Sequence, residues 1–225
     1  MIAAKAHVPL VQLTEPVPIT DGDTVAEKEV QDAGTGGGVV LNFTPPDALS
    51  ILQAAQQLGL EDDVTWGCST PCNTNFLASG LGSAWNDRLF VNVELNLPTA
   101  PGPDSALYQR VLKQYGSAVQ GGLGSFSQMG FTAAQIATQA LLTIKGPYTV
   151  KSVNNAFQNV KDFKTDLLCK PWYYGKGVPY HLPNNTDRTV TPDNGVMVQA
   201  QGCTEISPTD PEVAGVRKIE KKHHL

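Results

Sequence analysis

The chain has 225 residues, 41% of them hydrophobic and 16% charged, with a formal net charge of −5. That length can bury one large core or two small ones, and the composition is globular rather than disordered. An acidic balance without a basic run excludes nucleic acid as the main partner, because phosphate recognition needs clustered Lys and Arg.

The opening "MIAAKAHVPL" has one lysine and too short an apolar stretch for a signal peptide. No apolar run approaches the ~20 residues that span a bilayer. "HVPLVQL", His7 to Leu13, reads as a short strand, followed by the proline-bearing loop "TEPVPITDGD". Asp23 and Thr24 are placed to cap a helix running to about Asp32 and closed by Gly34. "VVLNF" then reads as a buried parallel strand.

The glycines of "GTGGGVVLNFTPPD" precede that strand instead of opening the following helix, and two prolines there carry no N–H. This is not a phosphate-cradling loop. The next helix has Thr44 at the N-cap, Pro45 at the first helical position and Asp47 in a capping-box-like place. Ile51, Leu52, Ala55 and Leu58 form its apolar face, and Gly59 stops it. "DDVTWGCST" is a further strand running into a loop, and Arg88 to Leu95 is another. Strands alternating with helices predict an α/β fold with a parallel sheet, its ligand outside the carboxyl ends of the strands.

"PTAPGP", Pro98 to Pro103, is a composition break. Helices are predicted from Asp104, Ser125 and Thr149, and Met129, Ala133, Ile136, Ala140 and Ile144 are assigned to the core face of the second. From Phe163 the chain is turn-rich up to a last strand, "GVMVQAQGC". The basic tail "RKIEKKHHL" reads as a solvated end.

Four cysteines among loops rich in Pro, Gly and Asn suit disulfides, whose connectivity sequence leaves open. Cys68–Cys72 with Cys169–Cys203 is the preferred pairing and implies an oxidising compartment. Four unpaired thiols are the alternative. A single CxxxC without a second pair or nearby His is not a zinc site. No GxSxG elbow, HExxH or local Cys–His pairing is present. The sequence therefore predicts no catalysis, no cofactor and no metal centre. What remains are small hydroxyl and amide groups at strand ends: Asn42, Thr44, Ser69, Thr70, Asn73 and Thr74, with Phe43 or Trp66 as an aromatic wall. Such groups suit a polar small molecule held by neutral hydrogen bonds.

In order and spacing, "EPVPITDGDT", "GVVLNFTPPDALSILQAAQQLGL", "VTWGCST", "ELNLPTAPGPDSALYQRVLKQYG", "SQMGFTAAQIATQALLTIKGPYTVKSVNNAF" and "HLPNNTDRTV" cover nearly the whole chain. Together they resemble the solute-binding proteins of branched-chain amino acid type ABC importers, the LivJ-like group with a type I periplasmic-binding fold. The resemblance implies two α/β lobes, parallel sheets with helices on both faces, that close on a ligand about a hinge. Residues 1–97 would be most of the second lobe, 98–190 a mostly helical return to the first, and 191–225 a crossover strand and tail. The opening half of the first lobe, with its export or lipoprotein signal, would be missing.

The ligand set that the resemblance implies is Asn42, Phe43, Thr44, Ser69 and Thr70, with Ser127, Gln128 and Phe131 from the returning helix. "GCSTPC" has no acid and "NFTPP" no tyrosine, a departure from many α-amino acid binders of that family. The implied partners are a small solute and a membrane-bound ABC permease, the implied location periplasmic or extracellular, lipid-anchored in the parent. The same fold in a receptor or regulator, as a ligand-sensing domain, is the alternative. Weak or absent binding by this chain alone and self-association through its returning helices are further expectations.

Overall fold

The structure is a computed structural model that describes residues 9–116, 124–168, 170–172, 174, 186–205 and 222. It divides into two compact units. The first comprises Met1–Val93, Leu123–Ser125 and Arg188–Gly202, and the second Glu94–Gly122, Phe126–Asp187 and Cys203–Leu225. Among the described residues five strands form one sheet in chain order, β1 (Gly38–Leu41), β2 (Thr65–Cys68), β3 (Leu89–Val93), β4 (Thr186–Asp193) and β5 (Val196–Glu205). The first three are parallel, with Leu41 level with Cys68 and Cys68 level with Val91. β4 runs antiparallel to β3, Arg188 opposite Val93 and Val190 opposite Val91.

In the first unit, α1 (Gly22–Ala33) starts two to three residues earlier than expected. Asp21 is its cap, accepting from the Thr24 backbone N–H at 3.2 Å and the Thr24 hydroxyl at 2.7 Å. Those two bonds hold the Asp21 carboxyl below its ordinary range. α2 (Pro45–Leu58) has the prolines at its start and Gly59 in the left-handed region at its end, as the sequence indicates. Its buried face is Ala48, Ile51, Leu52, Ala54 and Ala55, whereas Leu58 is exposed. The Thr44 hydroxyl does not cap the backbone; it donates to the Asp47 carboxylate, whose other oxygen takes the Ile19 N–H.

The core of this unit lies against one sheet face. Val39 and Leu41 of β1, and Leu89, Val91 and Val93 of β3, are buried there. Trp66 of β2 is fully buried, its ring edge-on to Trp85 at 5.6 Å. Val40 is 76% exposed, so β1 is buried on one face only, not throughout. Among the described residues it is the edge strand of the sheet, paired with β2. Pro9–Leu13 form no strand, and Leu10 and Val11 are exposed; the start of the predicted strand lies outside the described residues.

β4 is the main departure. "TDRTVTPD" was expected to be a turn, and it pairs with β3 while the turn proper is Asp193-Asn194-Gly195, where Asn194 and Gly195 have positive φ. Thr186, Arg188 and Val190 alternate with less buried residues, the period of a strand, but polar side chains mask the apolar signal.

In the second unit, α4 (Pro103–Tyr115), α5 (Ser125–Leu142) and α6 (Val150–Gln158) fall where sequence places them; between α2 and α4 the first unit adds the short α3 (Asn75–Leu81). A capping box of Thr149 and Ser152 starts α6. Of the predicted core stripe of α5, Ala140 is buried and Ile136 packs against the cluster of Leu95, Leu168 and Trp172, but Met129 is 39% exposed and Ala133 exposed, while Gln128 and Thr132, outside the stripe, are buried. Tyr108 of α4 meets the start of α5, hydrogen-bonded to the Ser127 hydroxyl at 2.7 Å and with its ring 5.6 Å from that of Phe131.

Glu29 on α1 yields a pH prediction. Burial, then the neighbouring Glu15 charge, raise its pKa to about 7, against the weaker opposing effect of Lys28, which is paired with Glu15 at 3.0 Å. The folded state therefore holds a proton that the unfolded chain releases near its ordinary value. Stability is full below the unfolded pKa and falls as pH rises from there towards 7. Allowing for partial exposure, the loss is about 1–2 kcal/mol. Denaturation of Glu29→Gln should show that slope flattened; an unchanged slope would refute the assignment.

Candidate functional site

The site is built where three parallel strands end together. β1 stops at Leu41, and Asn42 follows it exposed; β2 stops at Cys68, and Ser69 and Thr70 follow it half-buried. The Ser69 hydroxyl donates to the Asn42 side-chain oxygen at 2.8 Å, and the Ser69 N–H to the Leu41 carbonyl at 3.0 Å. Thr70 donates through its hydroxyl to the Asn92 carbonyl of β3 at 3.1 Å. Side chains from two strand ends are thus tied to each other and to the third strand. Phe43 is half-buried and Thr44 exposed on the same β1 exit.

Local chemistry fixes the β2 exit. A disulfide joins Cys68 and Cys72, both buried, around Ser69, Thr70 and Pro71. A one-turn 3-10 helix, Thr70–Cys72, fits inside that loop, with Cys72 N–H to the Ser69 carbonyl and Asn73 N–H to the Thr70 carbonyl, each at 3.0 Å. Cys203 is also disulfide-bonded; its predicted partner Cys169 lies outside the described residues. Replacing Cys68 and Cys72 together by serine is expected to lower stability by about 2 kcal/mol, the chain-entropy value for so short a loop. Urea unfolding of the variant against the oxidised protein measures it, and equal midpoints would show that the crosslink constrains nothing.

Asn73 and Thr74 belong to the framework. The buried Asn73 amide donates to the Ser125 hydroxyl at 2.7 Å, and the Thr74 hydroxyl caps α3 by accepting from the Leu77 N–H at 3.1 Å. Trp66 is no wall for a ligand, being sealed in the core.

The second unit carries the other predicted residues. Ser127 and Phe131 are both held by Tyr108, as described. Gln128 is fully buried, and neither its amide oxygen nor its nitrogen has a hydrogen-bond partner. Buried amides ordinarily are partnered. Two shallow grooves lie on this unit, one along Pro103, Ala106, Gln109, Arg110 and Lys113, the other along Tyr148, Val150, Val153, Phe157 and Tyr174. Neither is lined by a predicted ligand residue.

One charged residue at the strand ends was not singled out by sequence. Arg188, in the first unit, is 8% exposed and opposite Val93, the last residue of β3. Its Nη1 donates to the Gln199 side-chain oxygen at 3.2 Å, and its Nε is sealed from water without a partner. The signal that could have revealed it is the two-residue alternation of β4. Among the described residues no cluster of His, Cys, Asp and Glu could hold a metal, and no helix is long and apolar enough to cross a membrane.

Neither a protein-family model nor a curated protein sequence matches the chain. Solved structures do. A branched chain amino acid ABC transporter protein from Thermus thermophilus, with bound valine, is 16% identical at a TM-score of 0.70, covering 99% of this chain and 57% of that one. A fatty acid ABC transporter substrate-binding protein from Thermomonospora curvata is 16% identical at a TM-score of 0.70, over 93% of this chain and 53% of that one. A solute binding protein of an ABC transporter from R. palustris, in complex with 4-hydroxybenzoate, is 14% identical at a TM-score of 0.62, over 88% and 53% respectively. The chain spans about half the length of the solved structures it matches. At such identities the likeness concerns fold, and the fold is that of a type I periplasmic-binding protein, present in part.

Proposed function

We propose that the chain is the solute-binding part of an extracytoplasmic ABC importer component, taking a small polar solute in an interlobe cleft that closes about a hinge, without catalysis. Ligand would favour the closed state by making contacts there that the open state lacks. The observation that carries this reading is the meeting of Asn42, Ser69 and Thr70 at the carboxyl ends of adjacent parallel strands, the place where α/β sheets bind ligands. Ser127 and Phe131, both half-buried, are the proposed contribution of the returning helix, whereas Gln128, fully buried, is withdrawn from the ligand set. A permease in the membrane is the proposed partner. The Cys68–Cys72 disulfide supports an oxidising compartment outside the cytoplasm.

The test is a backbone amide titration with isoleucine, octanoate and 4-hydroxybenzoate at millimolar concentration. Weak shifts concentrated at residues 42–44 and 69–74 are expected for at least one solute, and shifts that fall elsewhere on the chain while those amides stay silent reject the proposal. Self-association is proposed as well, supported by Phe126, Leu142, Tyr148 and Val150, exposed by 58, 68, 65 and 90% on the second unit. Light scattering at high protein concentration should show more than the monomer mass.

A further inference from the structure

The three parallel strands of the first unit are covered on one side only. Leu41, Trp66, Leu89 and Val91 are buried on that side. The helices of the unit form a single layer, α1 packing on α2 and β1, and α3 packing on α2. The start of α1 lies so close to α2 that a Cβ on Gly22 would meet the Ser50 carbonyl oxygen at 2.8 Å. The alternate strand residues face the other way. Val40 is 76% exposed and Phe90 39%, with Gly67 between them in register. Gly67 has no side chain, so the two apolar side chains flank a trough. Parallel sheets are ordinarily covered on both faces.

β1 is open along its edge as well. The Thr65 and Ser69 N–H groups donate to the Gly37 and Leu41 carbonyls. Alternation then points the N–H and C=O groups of Gly38 and Val40 away from β2, where among the described residues no strand pairs with them. "GVVL" has neither the lysine nor the proline that blunts a natural edge.

Handedness identifies what fits this surface. Helical connections between parallel strands are right-handed. From β1 to β3 the chain steps in one direction, with its helices on one face. α1 shares that layer and feeds β1, so the strand that feeds α1 belongs beyond the open edge of β1. Ahead of α1 lies Pro9–Leu13, outside the sheet, with Leu10 72% and Val11 57% exposed. A strand set between β1 and that segment, and joined to it by a helix, steps the opposite way. Its helix therefore falls on the bare face, over Val40, Gly67 and Phe90. Size agrees with this. The bare strip is roughly 10 Å by 13 Å from strand spacing and rise, and one α-helix is about 10 Å across. A second copy of the chain would bury far less there than the ~800 Å² per partner of a stable interface. The chain spans about half the length of the solved structures it matches, so their fold has further chain for such a unit.

We propose that the β1 edge and the bare face are the docking surface for one strand–helix unit of the parent polypeptide. Its strand pairs in parallel with β1 through Gly38 and Val40, and its helix lies over Val40, Gly67 and Phe90. The unit leads into Pro9–Leu13, which pairs with its outer edge.

The test follows amide exchange by NMR in this chain and in the full-length parent. In this chain the Gly38 and Val40 N–H groups should exchange about 100-fold faster, or more, than those of Val39 and Leu41, which face β2. In the parent all four should be protected alike. Val40→Lys should leave the urea midpoint of this chain unchanged and lower that of the parent. Where that variant of the parent fails to fold, the exchange rates of the unsubstituted proteins decide. Equal exchange at Gly38 and Val40 in chain and parent overturns the proposal, as does a parent whose reading frame begins at Met1. Protection of those two amides that grows with the concentration of this chain assigns the edge to a second copy, and overturns it too.

Discussion

Trp66→Ala is expected to destabilise the first unit by about 4 kcal/mol, the largest effect of any single truncation considered. The indole is fully buried in the middle strand of the parallel set, edge-on to Trp85, and its N–H donates to the Leu60 carbonyl at 3.3 Å. Alanine removes the packing of two ring systems at once and leaves a cavity that β2 can close only by shifting. A shift of β2 moves Ser69 and Thr70, which follow it by one and two residues. Loss of stability should therefore come with loss of any solute response at 69–74, whereas Trp66→Phe should retain part of both. Urea denaturation gives the first quantity and the amide titration the second. A change below about 1 kcal/mol would mean that the core does not depend on this ring.

Gly102→Ala is the second large effect, in the other unit. Gly102 has φ +153°, and a Cβ there would overlap the Asp166 carboxyl group. That carboxylate is the cap of α4: it accepts from the Asp104 N–H at 2.8 Å, the Ser105 N–H at 2.8 Å and the Ser105 hydroxyl at 2.6 Å. Burial alone would raise its pKa, but the bonds from Ser105 and Asp104 outweigh that and hold it below its ordinary value. Alanine must displace the cap and also adopt a backbone conformation that glycine tolerates best, for a combined loss of about 3 kcal/mol. Asp166→Ala, which keeps the backbone relaxed, should lose about 1–2 kcal/mol. Thermal unfolding of the two variants separates strain from capping, and equal losses would refute the steric part. The depressed pKa gives the capping contribution its pH sign: present above the unfolded value, it fades as pH falls through the folded one.

The loop from Pro98 to Pro103 illustrates how much a sequence tells and where it stops. Pro103 and Asp104 mark the start of a helix from local chemistry alone. Nothing local says that Asp166, 62 residues from Asp104, will be its cap. Similarly, nothing local says that Gln128 is buried and Met129 is not, against the ranking of their hydrophobicities.

By itself, the sequence determined the starts of α2, α4, α5 and α6 to within a residue and the strand–helix alternation that makes β1 to β3 parallel, and it favoured the short Cys68–Cys72 pairing. Each of these rests on residues a few positions apart, where steric and capping preferences act directly. Tertiary structure alone decided that "TDRTV" is a strand, that Asn73 and Thr74 are framework while Asn42 and Ser69 face each other, and that Arg188 is buried without a counter-charge. Those outcomes depend on which distant segments share a sheet edge, because a polar side chain is driven inside or left in water by the partners that pairing brings to it.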